Sequence, residues 1–105
     1  MNPSEAEKMM EQARAMQERI AEIQKTLNAR RFEAASGGGM VRATVTGALR
    51  IVAIEIEDAF FKTGDKEMIQ DLAAAAVNAA LVKAQEGAQA EFLRMQQHLA
   101  TGSGF

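Results

Sequence analysis

Met40-Val41-Arg42-Ala43-Thr44-Val45-Thr46-Gly47-Ala48-Leu49-Arg50-Ile51-Val52-Ala53-Ile54-Glu55-Ile56-Glu57 is the stretch that decides the fold. Val41, Ala43 and Val45 alternate with Arg42, Thr44 and Thr46, which predicts a half-buried strand with one apolar and one polar face. Gly47-Ala48 predicts a turn. Residues 49–56 are rich in β-branched side chains and predict another strand, with Val52, Ile54 and Ile56 on one face and Ala53, Glu55 and Glu57 on the other. Upstream, residues 32–36 predict a shorter strand, separated from the quoted stretch by Gly37-Gly38-Gly39. That glycine run precedes a strand, and no Gly-Lys-Ser/Thr follows it, so it reads as a turn and not as a phosphate cradle. Three strands joined by short glycine-containing turns form an antiparallel meander.

Long helices flank the meander. Met9, Ala13, Met16, Ile20, Ile23 and Leu27 recur at alternating spacings of four and three, with charged or amide residues filling most positions between them. This narrow seam predicts a helix over residues 3–30, about 40 Å long at 1.5 Å per residue. A 3.5-residue period suits packing against another helix better than lying on a broad core. The expected partner is a second copy of the chain, with those six residues at the interface. Asn2 or Ser4 is placed to cap the helix, with Pro3 in its first turn and Ser4 and Glu7 at capping-box spacing. The second helix starts after Asp65, an expected N-cap, and residues 60–64 bridge to it. Met68, Ile69, Leu72, Ala73, Ala76, Ala80 and Leu81 form its first apolar face, and Ala84, Ala88, Phe92, Met95 and Leu99 continue it past Gly87. Asn78 stands among alanines; buried, it needs a hydrogen-bond partner, and it is expected to bond across the dimer or to cap a strand end.

The expected class is therefore α+β: α-β-β-β-α, a three-stranded antiparallel meander with two long helices, joined as a homodimer. One domain spans 1–100, followed by a flexible tail at 101–105. Composition agrees with a chain that needs a partner. Hydrophobic residues make up 48% of the 105 positions, yet the aromatics are five Phe and much of the remainder is alanine. A core so thin commonly goes with oligomerisation.

Cysteine is absent, which excludes disulfides, thiolate metal sites and cysteine nucleophiles. Glu5 and Glu7 stand where a secretory leader would be apolar, and no apolar run approaches the ~20 residues of a membrane span. A cytoplasmic location is expected. His98 has no second histidine to join it, and no nucleophile-base pair, metal cluster or cofactor motif can be assembled. The expectation is a non-enzyme with no cofactor, no metal and no small-molecule substrate.

Charge is unevenly distributed. The net charge is −2, but residues 1–50 carry +2 and residues 51–105 carry −4. Lys25, Arg30, Arg31, Arg42 and Arg50 concentrate the positive charge around the end of the first helix and the segment after it. Arg14 and Arg19 lie further up that helix, where acidic neighbours such as Glu18 offer i,i+4 pairing.

Several stretches together resemble a known family. They are Met9-Met10 and Gln12-Ala13-Arg14-Ala15-Met16-Gln17 in the first helix, Gly38-Gly39-Met40-Val41 opening a strand, and Thr44-Val45-Thr46-Gly47 closing it. Ile54-Glu55-Ile56-Glu57 leads out of the next strand. The sharpest stretch is Asp65-Lys66-Glu67-Met68-Ile69-Gln70-Asp71-Leu72-Ala73-Ala74-Ala75-Ala76-Val77-Asn78-Ala79-Ala80. Their order and spacing resemble the YbaB/EbfC nucleoid-associated proteins over essentially the whole chain. The resemblance implies a cytoplasmic bacterial homodimer, located at the nucleoid, that binds double-stranded DNA with little sequence preference. It also implies helices projecting like tweezers from a joined sheet, and a role in nucleoid organisation or gene regulation. Two departures stand out. Glu57-Asp58-Ala59 replaces a segment in which the family often has proline, and the glycine-rich end is reduced to Gly102 and Gly104. With the resemblance, Lys25, Arg30, Arg31, Arg42, Arg50, Arg14 and Arg19 become the expected DNA-contacting set, read through backbone charge and not base edges. The competing reading is a dimeric protein-interaction adaptor or chaperone-like module that grips a polypeptide with its protruding helices.

Overall fold

The structure, a computed structural model, describes residues 2–100, with side chains described through residue 98. The expected tail at 101–105 and the Leu99 side chain lie outside the described residues. The elements are α1 (Pro3–Ala29), β1 (Arg31–Ser36), a 3-10 turn (Gly37–Gly39), β2 (Val41–Thr46), β3 (Ile51–Ile56), α2 (Asp58–Phe61) and α3 (Lys66–Ala100). The α-β-β-β-α order is as expected, with one addition. The short helix α2, which buries Phe60, overlaps the start of the segment 60–64 expected to bridge into the second helix.

Each boundary has a local cause. Asn2 caps α1: its Oδ1 accepts from the Glu5 N–H at 2.8 Å, and Pro3 stands at the first helical position. At the far end the chain turns extended at Arg30 (φ −67°, ψ 140°), whose N–H still donates to the Thr26 and Leu27 carbonyls. The Asp65 carboxylate accepts from the Met68 N–H at 3.2 Å and caps α3, as expected. The sheet runs β1-β2-β3, antiparallel throughout. Its third strand begins at Ile51 and not at residue 49, because Leu49 takes a left-handed backbone (φ 62°) within the turn.

Val41, Ala43 and Val45 of β2 are fully buried, and Ala34 of β1 is buried beside them. Against them lie Ala76, Ala80 and Ala84 of α3, spaced by four so that one turn-by-turn stripe meets the sheet. Phe60 closes this core at one end. Alanine along the stripe lets the α3 backbone approach β2 closely. The Ser36 hydroxyl donates to the Leu72 carbonyl at 2.6 Å, and Lys83 Nζ of α3 donates to the Glu33 carbonyl of edge strand β1 at 2.9 Å.

Asn78, expected to bond across the dimer or to cap a strand end, is exposed in the single chain, because the stripe at 76, 80 and 84 turns position 78 away from the sheet. An expectation about β3 is corrected. In β3 the alternation breaks: Val45 pairs with Ile51 and Thr44 with Ala53, leaving Val52 as the extra residue of a bulge. Ile51, not Val52, therefore shares the core-facing side with Ile54 and Ile56. α3 lies across β1 and β2, so Ile51, Val52 and Ile54 remain exposed.

The molecule is elongated, 74 × 22 × 16 Å. Its radius of gyration is 20.9 Å, against about 13 Å for a compact chain of this length. The excess comes from helix that runs past the sheet. Gly87 of α3 lies against Phe32 near the start of β1, so the rest of α3 continues beyond the strands. α1 enters at the same end, and a recess lined by Glu22, Ile23, Thr26, Leu27, Arg30 and Glu91 separates the two helices. Along the α1 seam, Leu27 is buried, Met16 and Ile23 are half-buried, and Met9, Ala13 and Ile20 are exposed.

Candidate nucleic-acid interface

The joint between α1 and the sheet gathers basic residues that are far apart in sequence. The Gly47 N–H donates to the Arg30 carbonyl at 2.9 Å, and the Thr46 N–H donates to the Arg50 carbonyl at 2.9 Å. Thr46 in turn pairs in register with Arg31. Arg30, Arg31 and Arg50 thus surround one two-residue stretch of backbone, Thr46-Gly47. Lys25 is just over one helical turn up α1. All four side chains are exposed.

Glycine makes the joint possible. A β-carbon at Gly47 would overlap the Leu27 carbonyl, so only glycine lets the end of α1 seat on the β2–β3 turn. Burial of Leu27 holds the same contact from the α1 side. The angle at which α1 leaves the sheet, and with it the placement of Lys25 and Arg30, depends on this contact.

Electrostatics divide the seven expected residues into two groups. Among the described residues the ion pairs are Arg14–Glu11, Arg42–Glu33 and Arg94–Glu91, the latter two at 2.9 and 3.2 Å. Arg14 and Arg42 are therefore locally neutralised. Arg42 also faces Glu55 across the β2–β3 register, on the outer side of the sheet. Among the described residues, Lys25, Arg30, Arg31, Arg50 and Arg19 carry no ion pair. Arg19 stands apart, about 9 Å up α1 from Lys25 at 1.5 Å per residue. The structure brings Arg30, Arg31 and Arg50 to one joint, Arg30 on the core-facing side of the sheet and Arg31 on the outer side that Arg42 also occupies, with Lys25 just over one helical turn up α1; Arg14, Arg19 and Arg42 lie outside that joint.

Phe32 and Gly87 were not legible as parts of this region. The Arg30 guanidinium lies over the Phe32 ring, 4.8 Å from its centroid. A β-carbon at Gly87 would come within 2.5 Å of that ring. The one available signal was a glycine inside a helical pattern, which marks close approach when it is not a helix end.

Chemically, four exposed guanidinium and ammonium groups on one joint present many N–H donors to phosphate-like oxygens. Among the described residues, no group of three or more His, Asp or Glu is placed to hold a metal ion. No helix among them is long and apolar enough to cross a membrane.

Comparison with known proteins agrees with this architecture. A model of the YbaB/EbfC DNA-binding family matches residues 1–99. Nucleoid-associated protein DP1429 of Desulfotalea psychrophila is 46% identical over 79 residues, 75% of this chain and 74% of that protein. A nucleoid-associated protein of Pelotomaculum thermopropionicum is 40% identical over 92 residues, 88% of each chain. The crystal structure of an uncharacterized Helicobacter pylori protein, HP0035, shares the fold at a TM-score of 0.68 and 22% identity, covering 91% of this chain and 98% of that one.

Proposed function

The chain belongs to the YbaB/EbfC DNA-binding family, and we propose from that premise that it is a nucleoid-associated protein whose α1–sheet joint grips the phosphates of double-stranded DNA. The observation that carries this reading is the meeting of Arg30, Arg31 and Arg50 around Thr46-Gly47, with Lys25 just over one helical turn up α1 and, among the described residues, no carboxylate paired to any of the four. Relatives named as nucleoid-associated proteins support it. Such contacts neutralise backbone charge and release counterions, so affinity rests on electrostatics and carries little sequence preference.

The active unit in this proposal is a homodimer. Among the apolar surfaces without cover in the single chain, two are long enough to pair: the α1 seam at Met9, Ala13 and Ile20, and the β3 side chains Ile51, Val52 and Ile54. The elongated shape leaves both open to a second copy, and exposed apolar area of this kind marks an association surface. Pairing doubles the four cations to eight on one assembly. A local cationic surface then outweighs the −2 net charge of each chain, within a Debye length of about 8 Å at physiological salt.

Fluorescence anisotropy of a labelled duplex, titrated from 50 to 200 mM salt, tests the reading. Engagement of four to eight phosphates per dimer lowers the affinity by roughly 10²- to 10⁴-fold over that range. Absence of binding at 50 mM salt, or affinity indifferent to salt, overturns it.

A further inference from the structure

We infer that Phe32 is a positioning residue for DNA binding: its ring, seated on Gly87, holds the Arg30 guanidinium clear of neighbouring carboxylates and presents it to a phosphate. This inference rests on the DNA-binding function proposed above and names a residue on which that function depends.

Arg30 stands in acidic surroundings. The recess it lines also contains Glu22 and Glu91, and an unrestrained arginine there would find a carboxylate partner. It pairs with neither. Glu91 is taken by Arg94 at 3.2 Å, and the Arg30 guanidinium lies over the Phe32 ring, 4.8 Å from its centroid. A guanidinium held over a ring keeps the N–H donors that point away from the ring free, because the ring occupies one side of it. Those donors are the ones a phosphate takes in a bidentate contact. The stack also restricts the rotamers of a long side chain before DNA arrives, which lowers the ordering cost on binding.

The platform is built from both layers of the fold. Phe32 is half-buried on the core-facing side of β1, two residues after Arg30, so both side chains emerge on the same face. Gly87 of α3 leaves the space the ring occupies, since a β-carbon there would sit 2.5 and 2.7 Å from two ring carbons. A glycine that weakens a long helix is thereby matched to the side chain that carries Arg30.

The test is a set of anisotropy titrations on the full chain with a labelled duplex, using Phe32→Leu, Phe32→Tyr, Arg30→Lys, Arg30→Ala and the double variant Phe32→Leu/Arg30→Ala. Phe32→Leu is expected to weaken binding by about 2- to 5-fold for each stack engaged, and Phe32→Tyr, which keeps the ring, to bind like the parent. Arg30→Lys keeps the charge but not the planar stack, sits on the surface, and is expected to match Phe32→Leu even if that variant melts early. In the Arg30→Ala background, Phe32→Leu is expected to have no further effect, since it acts through Arg30. A Phe32→Leu effect that persists undiminished in the Arg30→Ala background, or an Arg30→Lys protein that binds like the parent, overturns the inference. Charge reversal at Arg31 and Arg50 separates the two failures: if it abolishes binding while the Phe32 and Arg30→Lys variants are silent, the positioning role falls and the DNA-binding function stands. If the unmodified chain binds no DNA, both fall.

Discussion

Reversing Arg31 and Arg50 together (R31E/R50E) removes two exposed cations that lie on either side of Thr46 and have no ion-pair partner among the described residues. In a dimer this deletes up to four phosphate contacts. At about 0.9 in the log–log salt slope per contact, the slope flattens by about 3 to 4, and affinity at 100 mM salt falls by about three orders of magnitude. The assay is anisotropy of a 25-bp duplex measured across 50–300 mM salt, with folding checked by thermal melting. A matched control separates local from global charge. Lys62→Glu with Lys66→Glu changes the net charge equally, but at the opposite end of the sheet, beside the turn into α3. That control is expected to cost roughly 10-fold or less, because screening attenuates charges beyond a Debye length. Equal losses from both pairs would refute the reasoning, since net charge and not the joint would then set affinity.

Three further outcomes follow from the fold. Ala80→Leu inserts bulk where α3 meets β2 with no free space, and is expected to cost about 1–3 kcal/mol, lowering the melting midpoint by roughly 10 °C at fixed protein concentration; exposed Ala79→Leu serves as the neutral comparison. Leu49→Asn replaces a residue held at φ 62° by one that tolerates the left-handed region, and a gain of about 0.5–1 kcal/mol is expected in chemical denaturation. Ile51→Glu with Ile54→Glu places charge on the uncovered face of β3, and sedimentation at micromolar concentration is expected to show the mass shifting from dimer to monomer. A dimer unaffected by that change would leave the α1 seam as the interface.

The legible part of the fold was the part with a single covered face. Val41, Ala43 and Val45 alternate cleanly because α3 lies on one side of β2 and nothing lies on the other. The same logic misled at β3. Its bulge at Val52 resets the alternation, and a bulge leaves no mark in a run of β-branched residues. Asn78 stands among alanines that differ in surroundings: those at 76, 80 and 84 are buried and Ala73 is partly covered, while Ala74, Ala75 and Ala79 are exposed. Small side chains fit both the close helix–sheet contact and the exposed face, so composition alone could not separate them. The basic set was legible as a list but not as a cluster. Arg50 is twenty positions from Arg30, and they meet only because Gly47 joins the turn to the end of α1. Arg42, close to the others in sequence, shares the outer face of the sheet with Arg31 but lies four residues along β2 from Thr46 and pairs with Glu33 at 2.9 Å. Gly87 read as a weakness in a helix until the Phe32 ring was found against it.

The central claim is that one joint, where α1 meets the sheet, makes the contact with DNA. Its most direct test follows the arginine side-chain Nε–H resonances by NMR while a short duplex is added at low salt. The signals of Arg30, Arg31 and Arg50 are expected to shift together and saturate at one stoichiometry, while those of Arg14 and Arg94, paired with Glu11 and Glu91, stay in place. Shifts confined to Arg14 and Arg94, or spread evenly over every arginine, would contradict the account.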